Sequence, residues 1–557
     1  MTGTAGRRPE GTTMAQMNKR NQSYTRGFSA RPRSGTDRTR HARRGRSSTL
    51  VFGVILAGCL SPPPILAIPG PPAAAEFTFE QHEVVIGSAK RQTVLTGFLL
   101  GGAVAELAVV HIDEDDDRRL RIYAFGGGTW APTLEATLRP EVLFVDVADI
   151  GGRDRLVTYE PGRLNWFDPD SATERELVAV TSNFHPPRRD EIPHVDVTRD
   201  VNADGRDDLV LPDSDGFWVF IQMSDRAFAD PVKIGPSFEM ARVYEPHGYR
   251  YTPWDQGRIH EMDYDRDGRP DLVFWNEDHF EARLQDARGL FGTTARTFTT
   301  DVSFDSDDLA SLAAPHNIRR PAPHNPIGAM TGRVLHSLAE LNGDGIADLG
   351  VFSLEGGSLW KMHSTYEVHL GSPAPDGGTT FAPEVSTAAP SDGIPLGIRR
   401  HDLDSDGQVV MMFTSFKVGV FKVLGTMLTR SATMNLAFWR TEGGIYPDKP
   451  STTRKTEYYA LGKSGGPAAV YPAVLIGDVN GDRRSDLLVG RSRRALHVFP
   501  GVPGPELFAR RPQKVAVAMA SRKYTWLVDL NQDGKQDILL HHPPTTGPHR
   551  LTMLIAR

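Results

Sequence analysis

One cysteine, Cys59, stands among 557 residues. That scarcity excludes an intramolecular disulfide and any zinc site built on several thiolates. Apolar runs long enough to cross a bilayer as a helix are missing too, since Leu50–Ala57 holds only eight residues. From Glu76 onward there is no long amphipathic helical period, only short apolar runs separated by turn residues. The body also lacks basic surface. Residues 1–58 carry 12 Lys+Arg against the two acids Glu10 and Asp37, which leaves 51 bases against 67 acids in residues 59–557. An acidic body disfavours nucleic acid as a partner, because phosphate binding needs positive charge. An HExxH motif is absent, and Gly462-Lys463-Ser464 is no phosphate loop because Glu457 stands where its first glycine belongs.

The basic leader, residues 1–58, is rich in Arg, Ser, Thr and Gly and reads as disordered. Arg43, Arg44 and Arg46 lead into Leu50–Ala57, an order that fits the basic and apolar regions of a signal peptide, with Met14 or Met17 as alternative starts. The run ends in Leu56-Ala57-Gly58-Cys59, which resembles the lipobox of bacterial lipoproteins and implies lipidation of Cys59. A signal peptide cut near Ala73-Ala74-Ala75 is the competing reading. Residues 59–76 form a tether with six prolines between Ser61 and Ala75, a semi-rigid polyproline II spacer. Leu60 after the cysteine implies, by lipoprotein sorting rules, the outer membrane where a cell has one.

Residues 77–557 repeat a nine-residue stretch, written most cleanly as Asp263-Tyr264-Asp265-Arg266-Asp267-Gly268-Arg269-Pro270-Asp271. Further copies carry Asp200, Asn202, Asp204 and Asp208; Glu340, Asn342, Asp344 and Asp348; Asp478, Asn480, Asp482 and Asp486, with Arg483 where glycine is usual; and Asp529, Asn531, Asp533 and Asp537. A partial copy has Asp402, Asp404 and Asp406, with Val410 in place of the last acid. Two early units, Phe98–Val110 and Val147–Val157, keep the flanking apolar runs and lose most of the acids. Oxygen donors at positions 1, 3, 5 and 9 of a tight loop suit a hard cation, Ca²⁺ before Mg²⁺, with the position-7 backbone carbonyl (Arg206, Arg269, Ile346, Arg484, Lys535) as a further ligand. Solvated acidic turns without metal are the bland alternative. An EF-hand needs Glu at position 12, where Leu211, Phe274, Val351, Val489 and Leu540 stand, so that reading fails.

First ligands from 149 to 529 are spaced by 51, 63, 77, 62, 76 and 51 residues. Each interval accommodates one four-stranded propeller blade plus loops. The expected fold is all-β: a propeller of eight, alternatively seven, blades. Its last unit has only three strand candidates, Thr525–Leu530, Asp537–His541 and His549–Ile555, so Phe77–Ile86 is predicted to complete it and close the ring. The insertions at about 281–333 and 439–470 are candidate partner loops. His541-His542 and the pair His316/His324 read as polar surface or loop residues.

These repeats resemble FG-GAP/VCBS repeats, the calcium-loop blades of integrin-α-type propellers. The resemblance implies several structural Ca²⁺ ions and a non-enzymatic, exported scaffold that binds an extracytoplasmic protein or glycan, anchored to the membrane only through lipid. The alternative it allows is an enzyme acting on polysaccharide from the central cleft, which requires ionisable groups converging there outside the calcium loops.

Overall fold

The structure is a computed structural model. It describes residues 77–557 apart from 187–189, 214, 225–226, 236–243, 246–247, 250–258, 277, 304–330, 357–361, 405, 417–430, 460–471, 493 and 545–546. The leader, Cys59, the proline-rich tether, His316 and His324 lie outside the described residues.

Eight four-stranded antiparallel sheets follow one another along the chain. Blade 1 is Gln92–Gly97, Glu106–Ile112, Arg118–Gly126 and Thr129–Thr137; blade 2 is Phe144–Asp149, Asp154–Glu160, Arg163–Asp168 and Thr173–Ala179. Blades 3 to 7 begin at Thr198–Arg199, His260–Met262, Gly332–Ala339, Ile394–Asp402 and Val474–Gly477. Blade 8 takes Thr525–Val528, Asp537–His542 and His549–Ala556 from the C-terminus and Phe79–Gly87 from the other end of the body. The protein is an eight-bladed β-propeller. Blade 1, whose loop kept no metal signature, is a true blade, which decides between seven and eight.

First strands of successive blades approach one another in blades 1–2, 2–3, 4–5 and 7–8, as the innermost strands of a ring must. The apolar core is accordingly a series of layers between blades. Phe352, Tyr366, Ile398, Met411 and Trp439 fill the layer between blades 5 and 6, and Val84, Ile86, Leu107, Trp130 and Met553 fill the one between blades 8 and 1. Alternation along each strand sends successive side chains to opposite neighbours, so both blade faces are apolar. This explains near-continuous runs such as Leu209-Val210-Leu211, all fully buried.

Two expectations change. Within 439–470, the described part, 439–459, is the hairpin of blade 6 in which Ser431–Arg440 pairs with Thr452–Tyr459, and 460–470 lie outside the described residues; likewise His279–Arg283 and Arg296–Phe298 complete blade 4. Within 281–333, residues 304–330 lie outside the described residues. His541 is not a surface residue: it and His549 are each 3% exposed, with Nε2 of the former 2.8 Å from Nδ1 of the latter. One ring must donate and the other accept. Burial pushes His541 down to about 3, so the pair is a neutral core contact near neutral pH.

Candidate metal centre

Each acidic repeat forms the turn between the first and second strands of its blade. Five copies share one backbone course. Position 6 takes positive φ in Gly205, Gly268, Gly345 and Gly534 (81 to 86°), and Arg483 adopts the same left-handed conformation at 66°. A residue with a Cβ costs about 1 kcal/mol there. Position 4 is left-handed as well, in Ala203, Arg266 and Gln532, a requirement that no glycine signals in those copies.

This course turns backbone N–H groups back onto the first acid. Asp267 and Gly268 donate to the two Asp263 oxygens at 2.9 and 2.8 Å. Asp204 and Gly205 do the same for Asp200, and Asp533 and Gly534 for Asp529. Asn342 and Gly343 donate to Glu340, and Asn480 and Gly481 to Asp478. Position 3 faces position 5: Asn202, Asn342, Asn480 and Asn531 donate through Nδ2 to Asp204, Asp344, Asp482 and Asp533. Position 5 in turn accepts the N–H of position 7, at Arg206, Arg269, Ile346, Arg484 and Lys535.

The ninth acid has a role that spacing did not reveal. Asp208, Asp271, Asp348, Asp486 and Asp537 open their second strands and are 0 to 1% exposed. In every case one oxygen accepts the N–H of position 2: Val201, Tyr264, Leu341, Val479 or Leu530. The other accepts an N–H from the last residue of the blade's third strand, Ala556, or from the residue two beyond its end, Gln222, Gln285, Gly371 or Gly501. This carboxylate ties loop to sheet. Burial, with the neighbouring loop acids, pushes Asp208, Asp486 and Asp537 up to about 7 and Asp271 and Asp348 up to about 6. An added cation is the natural counterweight to such crowding.

Loops of adjacent blades are also linked to each other. Asp149 donates its N–H to Asp207, Ser485 to the Leu403 carbonyl, Gln536 to the Asp478 carbonyl and Ala105 to the Leu530 carbonyl. Loop residues of one blade are thus bonded to those of the next along the same end of the ring.

The donor sets differ in how well they fit a hard cation. Carboxylate oxygens of Asp263, Asp265 and Asp267 lie within 4.8 Å of one another, and Asp265 Oδ1 is buried without a hydrogen-bond partner. That set fits calcium. Asp402, Asp404 and Asp406 are equally close, but Arg440 Nη2 reaches Asp404 at 3.3 Å and Asp406 at 2.6 Å. A guanidinium already stands beside those acids. Arg206 and Arg269 pair with Asp204 and Asp267 from exposed positions, contacts of little energetic weight.

No protein-family model matches the chain, and no curated protein sequence does. Among solved structures, the chain is similar to a lectin from Agrocybe aegerita that recognises non-reducing terminal N-acetylglucosamine, at 15% identity over 76% of this chain and 94% of that one, with a TM-score of 0.35. It is similar to the Dos1 propeller at 10% identity over 86% and 95%, with a TM-score of 0.38. A third likeness is to the biofilm matrix protein Bap1 of V. cholerae, at 11% identity over 86% and 92%, with a TM-score of 0.30.

Proposed function

We propose that the chain is a calcium-stabilised propeller of the FG-GAP/VCBS type that serves as an extracytoplasmic binding scaffold for protein or glycan. The observation that carries the reading is the Asp263 loop, with three carboxylates gathered around one point and a buried Asp265 oxygen left without a donor. Asp263, Asp265 and Asp267, with the Arg269 carbonyl and Asp271, would hold the ion there. The loops at Asp200, Glu340, Asp478 and Asp529 would do so with Asn at position 3. When bound, the ion supplies charge neutralisation and fixes the turn between two strands. The ninth acid retains lone pairs for an ion beyond those its backbone donors use. The Asp402 loop is the weakest candidate, since Arg440 supplies positive charge from within.

Export and lipidation at Cys59 complete the proposal, with the proline-rich tether as spacer, and rest on the Leu56-Ala57-Gly58-Cys59 sequence alone. A calorimetric titration of Ca²⁺ into chelator-stripped protein tests the metal reading. The expected result is saturable binding that loses one site in the combined variant Asp263→Asn, Asp265→Asn, Asp267→Asn. Equal stoichiometry in variant and parent would refute the assignment of that loop.

A further inference from the structure

Seven of the eight blades open their second strand on an acid that accepts a loop N–H, and blade 6 is the exception. The five ninth acids have counterparts even in the two blades that lost their repeat acids. Glu106 of blade 1 accepts the Leu100 N–H at 3.0 Å, and Asp154 of blade 2 accepts the Phe98 N–H at 2.9 Å. Blade 6 has Val409-Val410 at that point, so no such carboxylate is available to its loop.

The rest of the blade 6 loop keeps the common course. Gly407 is left-handed at φ 80° and donates its N–H to Asp402, and Gln408 donates its own to Asp406 at 2.8 Å. Asp402, Asp404 and Asp406 are gathered like Asp263, Asp265 and Asp267, with carboxylate oxygens within 4.8 Å of one another. In both loops a carboxylate stands at position 3, where the other four copies have an asparagine that donates to position 5. Two carboxylates so placed repel each other unless a positive charge lies between them. The Asp263 loop has no such charge across positions 3 and 5, and Asp265 Oδ1 is left without a donor.

The Asp402 loop has Arg440. This residue is the cross-strand partner of Val410, so the acid missing at position 9 and the added base occupy one pair, Val410↔Arg440. Its backbone N–H is held by Ser451 Oγ at 3.1 Å, and its side chain is only 17% exposed. Nε donates to Gln408 Oε1 at 3.0 Å, and Nη2 reaches Asp404 at 3.3 Å and Asp406 at 2.6 Å. The guanidinium thus bridges positions 3 and 5 from the sheet, whereas Arg206 and Arg269 each pair with position 5 alone from within their own loops. Charge-assisted bonds to two carboxylates at once are strong ones. A dication among the same oxygens would stand beside the guanidinium and be repelled by it, with one donor fewer to hold it.

We propose that the blade 6 loop holds no calcium and that Arg440 is its resident counter-ion, so that this one turn is pinned by the chain's own charge at any calcium concentration. Asp402, Asp404 and Asp406 thereby leave the ligand set expected from the sequence. The proposal rests on the reading of the other five loops as calcium sites and decides which copies of the repeat hold an ion.

The test is calorimetric titration of Ca²⁺ into the chelator-stripped full chain and three variants. The combined variant Asp402→Asn, Asp404→Asn, Asp406→Asn is expected to bind as many ions as the parent. Arg440→Gln is expected to bind one ion more, and Arg440→Lys, which keeps a positive charge, no more than the parent. Loss of one ion in the combined variant, no gain in Arg440→Gln, or the same gain in Arg440→Lys would each overturn the proposal. Should the combined variant show no cooperative melt, the two Arg440 variants decide alone. A parent that binds no calcium refutes the metal reading of the other loops, and the role of Arg440 is then decided by whether Arg440→Gln acquires one ion.

Discussion

Deleting residues 77–87 is expected to abolish the folded propeller, yielding aggregated protein in place of a monomer on size exclusion. The segment Phe79–Gly87 pairs along the full length of the C-terminal strand, from Phe79↔Ala556 to Gly87↔His549. Val84 and Ile86 enter the layer between blades 8 and 1, and Phe77 enters the one between blades 7 and 8. Burying those three side chains contributes roughly 6 kcal/mol. Phe77 also donates its N–H to Gln513 at 2.6 Å, and Arg557 donates its N–H to the Thr78 carbonyl at 2.9 Å. Loss of the segment therefore removes apolar contacts from two layers and bares the edge of His549–Ala556, a template for pairing with another chain. A deletion protein that remains monomeric and melts like the parent would show that the ring does not depend on this closure.

The second large effect is expected at Asp537. Its carboxylate joins the N–H of Leu530, in the loop, to the N–H of Ala556, on the strand that receives the closing segment. Asp537→Ala leaves two buried donors without acceptors at 1–3 kcal/mol each, so a loss of about 2–6 kcal/mol follows. Asp537→Asn keeps one acceptor and should fall between alanine and the parent in thermal melting. Exposed Asp115, in an ordinary turn, serves as the control, and its alanine variant should melt within about a degree of the parent. An Asp537→Ala protein indistinguishable from that control would show that the ninth acid is not a structural tie.

The architecture was legible because its signals are local. Asp or Glu at position 1, glycine at position 6 and an apolar run after position 9 specify a turn and a strand without reference to any other part of the chain. Three strand candidates in the last unit, where four are needed, pointed to Phe77–Ile86 in the same way. Blade 1 was recognisable from its apolar runs alone, because strands survive the loss of loop acids. The details that escaped are all long-range. The two donors to Asp208 are Val201, seven residues before it, and Gln222, fourteen after, and only the second strand's return brings the latter close. Arg440 lies 34 residues from Asp406, so nothing near the Asp402 loop announced it. His541 looked polar and exposed, yet its partner His549 reaches it across a hairpin.

The proposed scaffold depends on calcium. The most direct measurement is the melting temperature of the chelator-treated protein against the same sample returned to millimolar Ca²⁺, with Mg²⁺ as the comparison ion. Several sites saturated well above their dissociation constants should together raise the melting temperature by roughly 10 °C, with Mg²⁺ restoring little of it. Superimposable curves in chelator and in calcium would contradict the account and leave the acidic loops as turns held by their own hydrogen bonds.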